Sequence, residues 1–148
     1  MISAETLRRY PYFVNVSEER LHDVAKIADE QRHASGTVLF QENDKADHLY
    51  IIIDGEVDIQ YKLGSGELRT IDTLVSGELI MWSALVEPYR STAIGTTRKV
   101  TTLVAIDAEK LRALCDADHD LGYCMLLSLT KLLANRLEGA RVQLATVD

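Results

Sequence analysis

The sequence predicts a mainly β domain with flanking helices: an antiparallel β-roll of the double-stranded β-helix or jelly-roll type, with short N-terminal helices and a long C-terminal helix. Three observations predict it. Between about residues 31 and 106, apolar and polar residues alternate in several short runs, the period of half-buried strands. Turn residues separate those runs at the spacing of an antiparallel sheet. Beyond residue 107 the apolar spacing changes to threes and fours, the period of a helix.

Residues 1–30 read as the N-terminal helices. Ser3 and Ser17 stand at N-cap positions, and Val16 and Leu21 are placed to form a hydrophobic staple around the second helix. Leu21, Val24, Ala25 and Ala28 fall on one face of it, and Glu18 and Glu19 occupy its first turn, where the macrodipole favours acids. The roll is assigned to 31–106. Val57, Ile59, Tyr61 and Leu63 alternate with Glu56, Asp58, Gln60 and Lys62, one dry face and one wet. Gly64-Ser65-Gly66-Glu67 then turns the chain into a strand over 68–75. Val100, Thr102, Val104 and Ile106 form a further alternating run.

The C-terminal helices are assigned to 107–146. Asp107 caps a short helix over 108–115, and a longer one of about five to six turns follows over 121–144. Its main stripe is Leu126, Leu129, Leu133, Leu137, Ala140 and Leu144, with Leu127, Leu132 and Val142 outside that stripe. A helix apolar on more than one face packs on its own domain and on a second surface. The expected assembly is therefore a homodimer, with two copies of this helix paired across a twofold axis.

Composition excludes several function classes. A chain of 148 residues fits one domain, taken as 1–148. No apolar run is long enough to span a membrane, and MISAETLRRYPYF lacks the apolar core of a secretory signal. Cys115 and Cys124 fit a reduced, cytoplasmic protein and are too few for an all-cysteine iron–sulfur site. The net charge of −7, with bases scattered among more numerous acids, argues against direct binding of nucleic acid. His22, His33, His48 and His119 are isolated, and Asp44 and Asp47 offer too few oxygens for a calcium loop. No catalytic constellation is evident, so the chain is read as a non-enzyme without cofactor or metal.

Two runs carry a resemblance. Gly36-Thr37-Val38-Leu39-Phe40-Gln41-Glu42-Asn43-Asp44, followed by Leu49-Tyr50-Ile51-Ile52-Ile53-Asp54-Gly55-Glu56-Val57, resembles the cyclic-nucleotide-binding domain family. That family includes the effector domain of the catabolite activator protein and the regulatory domains of cyclic-nucleotide-gated channels and kinases. Asn43 stands where the family commonly has glycine, and Asn is the next residue best able to adopt a left-handed turn. The resemblance implies a regulatory domain that binds a small anionic nucleotide, cyclic AMP or cyclic GMP, and relays it through the C-terminal helix. A domain that has lost its ligand and serves dimerisation or partner binding is the alternative.

The resemblance also implies a phosphate-binding cassette at 75–93. Its arginine falls on Arg90, followed by Ser91 and Thr92; the planar guanidinium suits bidentate contact with phosphate oxygens. Ser83 and Ala84 would begin the cassette helix, with Leu85 after them. Leu137 and Arg141 of the last helix complete the implied contacts. Gly77-Glu78-Leu79 imitates the family's Gly-Glu-Leu, whose glutamate bonds the ribose. Aligning instead on Ala84-Leu85 puts the family's Gly-Glu on Met81-Trp82 and leaves a one-residue gap before Arg90. Trp82 then replaces the ribose carboxylate. This register expects Arg90 and Trp82 to face one pocket and Glu78 to point elsewhere.

Overall fold

The computed structural model describes residues 1–147 and arranges their strands in two four-stranded antiparallel sheets. Helix α1 (Ala4–Arg8), a 3-10 turn (Pro11–Phe13) and α2 (Glu18–Lys26) come first. Then follow β1 (Ala28–His33), β2 (Val38–Phe40), β3 (His48–Asp54), β4 (Glu56–Lys62), β5 (Leu68–Val75) and β6 (Leu79–Ile80). A second 3-10 turn (Trp82–Ala84) leads to β7 (Ile94–Thr97) and β8 (Thr101–Asp107). The chain ends in α3 (Ala108–Ala117) and α4 (His119–Ala145). One sheet has the order β1-β8-β3-β6 and the other β2-β7-β4-β5.

Local chemistry sets most boundaries. Ser3 Oγ accepts from Thr6 N, Ser17 Oγ from Arg20 N, and an Asp107 carboxylate oxygen from Lys110 N, satisfying amides that have no partner in the first helical turn. Asp118 does the same for α4 through Leu121 N. Val16 and Leu21 are both buried, as a staple requires. Asn43 adopts φ 65°, the left-handed turn expected of it.

Burial departs from simple alternation where a strand lies inside its sheet. β8 runs between β1 and β3, and Leu103, Val104, Ala105 and Ile106 are all buried. Val100 falls outside the strand and is exposed. These residues join Leu49, Ile51 and Ile52 of β3, Phe13 before α2, Leu111 of α3, and Leu121, Met125 and Leu129 of α4 in one core.

Three expectations need correction. Ala28 is the first residue of β1 and not part of α2, because the helix closes at Ile27; the roll thus starts before residue 31. Helix α4 spans 27 residues, longer than expected, because the Asp118 cap starts it earlier. Leu129 is only 4% exposed and belongs to the domain's own core, so it is unavailable to a partner helix.

Two glycines should respond in opposite directions to alanine. At Gly55 (φ 133°) a Cβ would lie 2.7 Å from Thr101 Cα, which is backbone and cannot swing away. Gly55→Ala should cost more than about 2 kcal/mol. Gly139 lies within α4, and a Cβ there would meet nothing within 4 Å. Gly139→Ala should gain roughly 0.5–1 kcal/mol. Urea unfolding of both variants checks the pair; equal shifts of the two midpoints would contradict the account.

Candidate ligand-binding site

A cavity of about 760 Å³ lies where the second sheet, the stretch after β6 and helix α4 meet. Phe40, Ile59, Ile71 and Leu74 line it from the sheet; Ile80, Met81, Trp82, Ser83, Ser91, Thr92 and Ala93 line it from the cassette. Helix α4 contributes Leu132, Asn135, Arg136, Gly139, Ala140 and Gln143. The volume is in the range of small-molecule sites, and so is the apolar lining with a few polar groups.

Met81 holds φ 68°, a conformation glycine adopts freely and other residues at a cost of about 1–2 kcal/mol. Trp82 follows it into the 3-10 turn and lines the cavity. The expected cassette helix is only this turn, Trp82–Ala84. Three residues give a single turn and no extended dipole for an anion.

Of the sequence-derived site residues, Trp82, Ser83, Ser91 and Thr92 line the cavity. Ala84 and Leu85 do not: Ala84 is fully buried and its carbonyl accepts from Arg112 Nη1. Arg90 also departs from expectation. It is exposed, lies outside the lining, and donates from Nη1 to the Asn43 carbonyl at 2.9 Å. The reason is backbone alternation. Residues 89–91 pair with the 43–46 turn through Ala46 N to Tyr89 O, Ser91 N to Asp44 O and Asn43 N to Ser91 O. Ser91 faces inward there, so its neighbour Arg90 faces out.

Glu78 is a correction too. It lines the cavity instead of pointing elsewhere, although its Oε2 accepts from Val75 N at 2.7 Å and so closes its own turn. Leu137 and Arg141 are exposed and absent from the lining. At 100° per residue they lie on the opposite side of α4 from Leu132, Arg136, Gly139 and Gln143.

Sequence reading missed Arg136, the one basic residue among the described residues lining the cavity. Its Nη2 donates to the Leu79 carbonyl at 2.5 Å. Burial pushes its ionisation below the ordinary arginine value, while Glu78, Tyr12 and Asp72 pull it back. Tyr12, whose phenol burial pushes upward, donates from Oη to Gly77 O at 3.0 Å, and Ser128 Oγ of α4 donates to Tyr12 O. The signal was available: Met125, Leu129, Leu132, Arg136, Gly139 and Gln143 repeat at threes and fours, turning from apolar to polar along one stripe.

Comparison with known proteins gives the family. Residues 30–118 match the model of the cyclic nucleotide-binding domain. The chain belongs to the cyclic nucleotide-binding domain family. A cGMP-dependent protein kinase, isozyme 1, of Drosophila melanogaster is 30% identical over 93 residues, 62% of this chain and 12% of the kinase. The chain thus spans a small part of that relative. A protein of Geobacter metallireducens, assigned to cyclic nucleotide binding, is 31% identical in its crystal structure, with a TM-score of 0.85 over 93% of this chain and 99% of that one. The catabolite activator protein of Thermus thermophilus shares the fold at 24% identity and a TM-score of 0.73, over 91% of this chain and 62% of that one.

Among the described residues no group of three or more His, Cys, Asp or Glu side chains is placed to hold a metal ion. No helix among them is long and apolar enough to cross a membrane. Cys115 is a poor nucleophile: burial, then Asp116 and Asp118, push its thiol up to about 11. At pH 8 only about one thiol in a thousand is then ionised. Alkylation of Cys115 by iodoacetamide should be correspondingly slow and should rise about tenfold per pH unit from 8 to 10. Peptide mass spectrometry checks this; rapid modification at pH 8 would contradict it.

Proposed function

We propose that this domain is a ligand-sensing regulatory module that takes a small anionic nucleotide, cyclic AMP, cyclic GMP or a relative, into the cavity beneath α4. The observation that carries the reading is the cavity itself, which the cassette and the last helix line together. A ligand touching both favours one arrangement of α4 against the roll, which is a route from binding to output.

Electrostatics set a condition. The lining holds Asp72 and Glu78 against Arg136, so an anion is poorly favoured until Arg90 turns in. Arg90 is held by a single bond to a neutral carbonyl, worth about 1–3 kcal/mol with a charged donor. A bidentate phosphate pair exceeds that in strength. Arg90 therefore leaves Asn43 when phosphate arrives, and Ser83, Ser91 and Thr92 supply further donors. Trp82 offers one N–H and no acceptor for a ribose hydroxyl, which weakens the sugar half of the site by about 1–3 kcal/mol.

Calorimetric titration with cyclic AMP and cyclic GMP tests the reading. Binding should be weak and abolished by Arg90→Ala, whereas Glu78→Ala, which removes an acid from the lining, should strengthen it. Trp82→Glu, which restores an acceptor, should strengthen it roughly five- to hundredfold. Silence with both nucleotides at high concentration would remove the ligand reading and leave a dimerisation or partner-binding module.

The assembly reading is a homodimer through α4. With Leu129 in the core and Ala140 bordering the cavity, the outward seam is Tyr123, Leu126, Thr130, Leu133, Leu137 and Leu144, at the threes, fours and seven of a heptad pattern. Leu137 is 59% exposed, so a change there spares the domain core. Sedimentation should show a dimer that Leu137→Glu converts to a folded monomer, since the seam would have to bury an unpaired charge. A monomeric wild-type chain at high concentration would overturn the dimer.

A further inference from the structure

Two guanidinium groups, from two different helices, hold the backbone at the two ends of the stretch 79–84. Arg136 of α4 takes the Leu79 carbonyl, and Arg112 of α3 takes the Ala84 carbonyl at 2.8 Å. Arg112 does a second thing. Its Cζ lies 4.1 Å from the centroid of the Tyr89 ring, so one planar group contacts residues 84 and 89 together. None of the ion pairs among the described residues uses Arg112. Its charge is met by a carbonyl dipole and a ring face.

Tyr89 is well placed to transmit that grip. It sits at φ 60°, immediately before Arg90, and its carbonyl accepts from Ala46 N. Ser91 N bonds Asp44 O in the same turn, and the first residue of α3 returns to that turn through Ala108 N to Asp47 O. Helix α3 is therefore bonded to the cassette through Arg112 and to the turn beneath it through Ala108. It also packs on α4.

We propose that Arg112 is a positioning residue that ties the loop 84–91 to α3, so that a displacement of the loop and of the helix occur together. The proposal rests on the reading of that loop as part of the ligand site. Arginine fits the role because its fork donates to a carbonyl while its plane lies on the ring; lysine, a point charge on a flexible stem, offers no such plane.

Hydrogen–deuterium exchange on the ligand-free chain tests it. Arg112→Met and Tyr89→Leu should each raise exchange of amides in 84–91, and in 108–117, by about tenfold, with β1 and β8 unchanged. The double variant should exceed neither single variant, because both remove one contact. Tyr89→Phe keeps the ring face and should behave as wild type. If Arg112→Met does not fold, Arg112→Lys should show the same rise in smaller measure. Faster exchange in 108–117 with 84–91 unchanged, additive effects in the double variant, or a Tyr89→Phe that matches Tyr89→Leu would overturn the role. Titration of wild type with cyclic AMP and cyclic GMP, run separately, reports on the ligand reading alone; failure there leaves the exchange result to decide Arg112.

Discussion

A half-buried guanidinium fixes where the last helix lies. Removing a charge from water is costly, and a lone neutral acceptor offsets only part of the cost. Arg136 meets the Leu79 carbonyl at one end of its fork and has Glu78 and Asp72 close enough to favour its charge. Sliding α4 along the roll would separate the guanidinium from all three. The N-terminal segment reinforces the same register, since Ser128 reaches the Tyr12 carbonyl and Tyr12 reaches Gly77. Leu121, Met125 and Leu129 hold the first half of α4 by burial. Past Leu132 the inner stripe turns polar, and there the helix leaves the core and borders the cavity.

The consequence is a short piece of chain under control from two sides. Residues 79–84 carry the left-handed Met81 and the indole of Trp82, and their end carbonyls are taken by Arg136 and Arg112. A ligand entering the cavity meets this stretch and α4 together. Arg136 bonds the one to the other. Coupling between site and helix then needs no distant wire, only two packed elements that share partners.

Strands, caps and tight turns were legible in the sequence because each is decided by neighbours a few residues away. Ser17 and Asp107 each cap an amide three residues on, and Asp44 accepts from Gln41 N. The Met81-Trp82 register rested on a longer count, from Ala84-Leu85 to Arg90, and it turned Glu78 away from the cavity that Glu78 lines. The outward orientation of Arg90 was not legible, because it depends on pairing with residues 43–46, which no local pattern displays. The two faces of α4 are hard to separate by sequence because its outer seam and inner stripe both repeat in threes and fours. Only contact with Tyr12 and Leu79 tells them apart, and that contact made Arg136, an ordinary charged residue in a helix by sequence, the cation of the cavity.

The central claim is that the cavity between cassette and α4 receives the nucleotide. Amide chemical shifts recorded by NMR during addition of cyclic AMP or cyclic GMP test it most directly. The account predicts shifts concentrated at Ser83, Ser91, Thr92 and Ala93 and along α4 from Leu132 to Gln143. Shifts confined to the outer groove at Gln41, Glu42 and Lys62, or none at millimolar nucleotide, would contradict it.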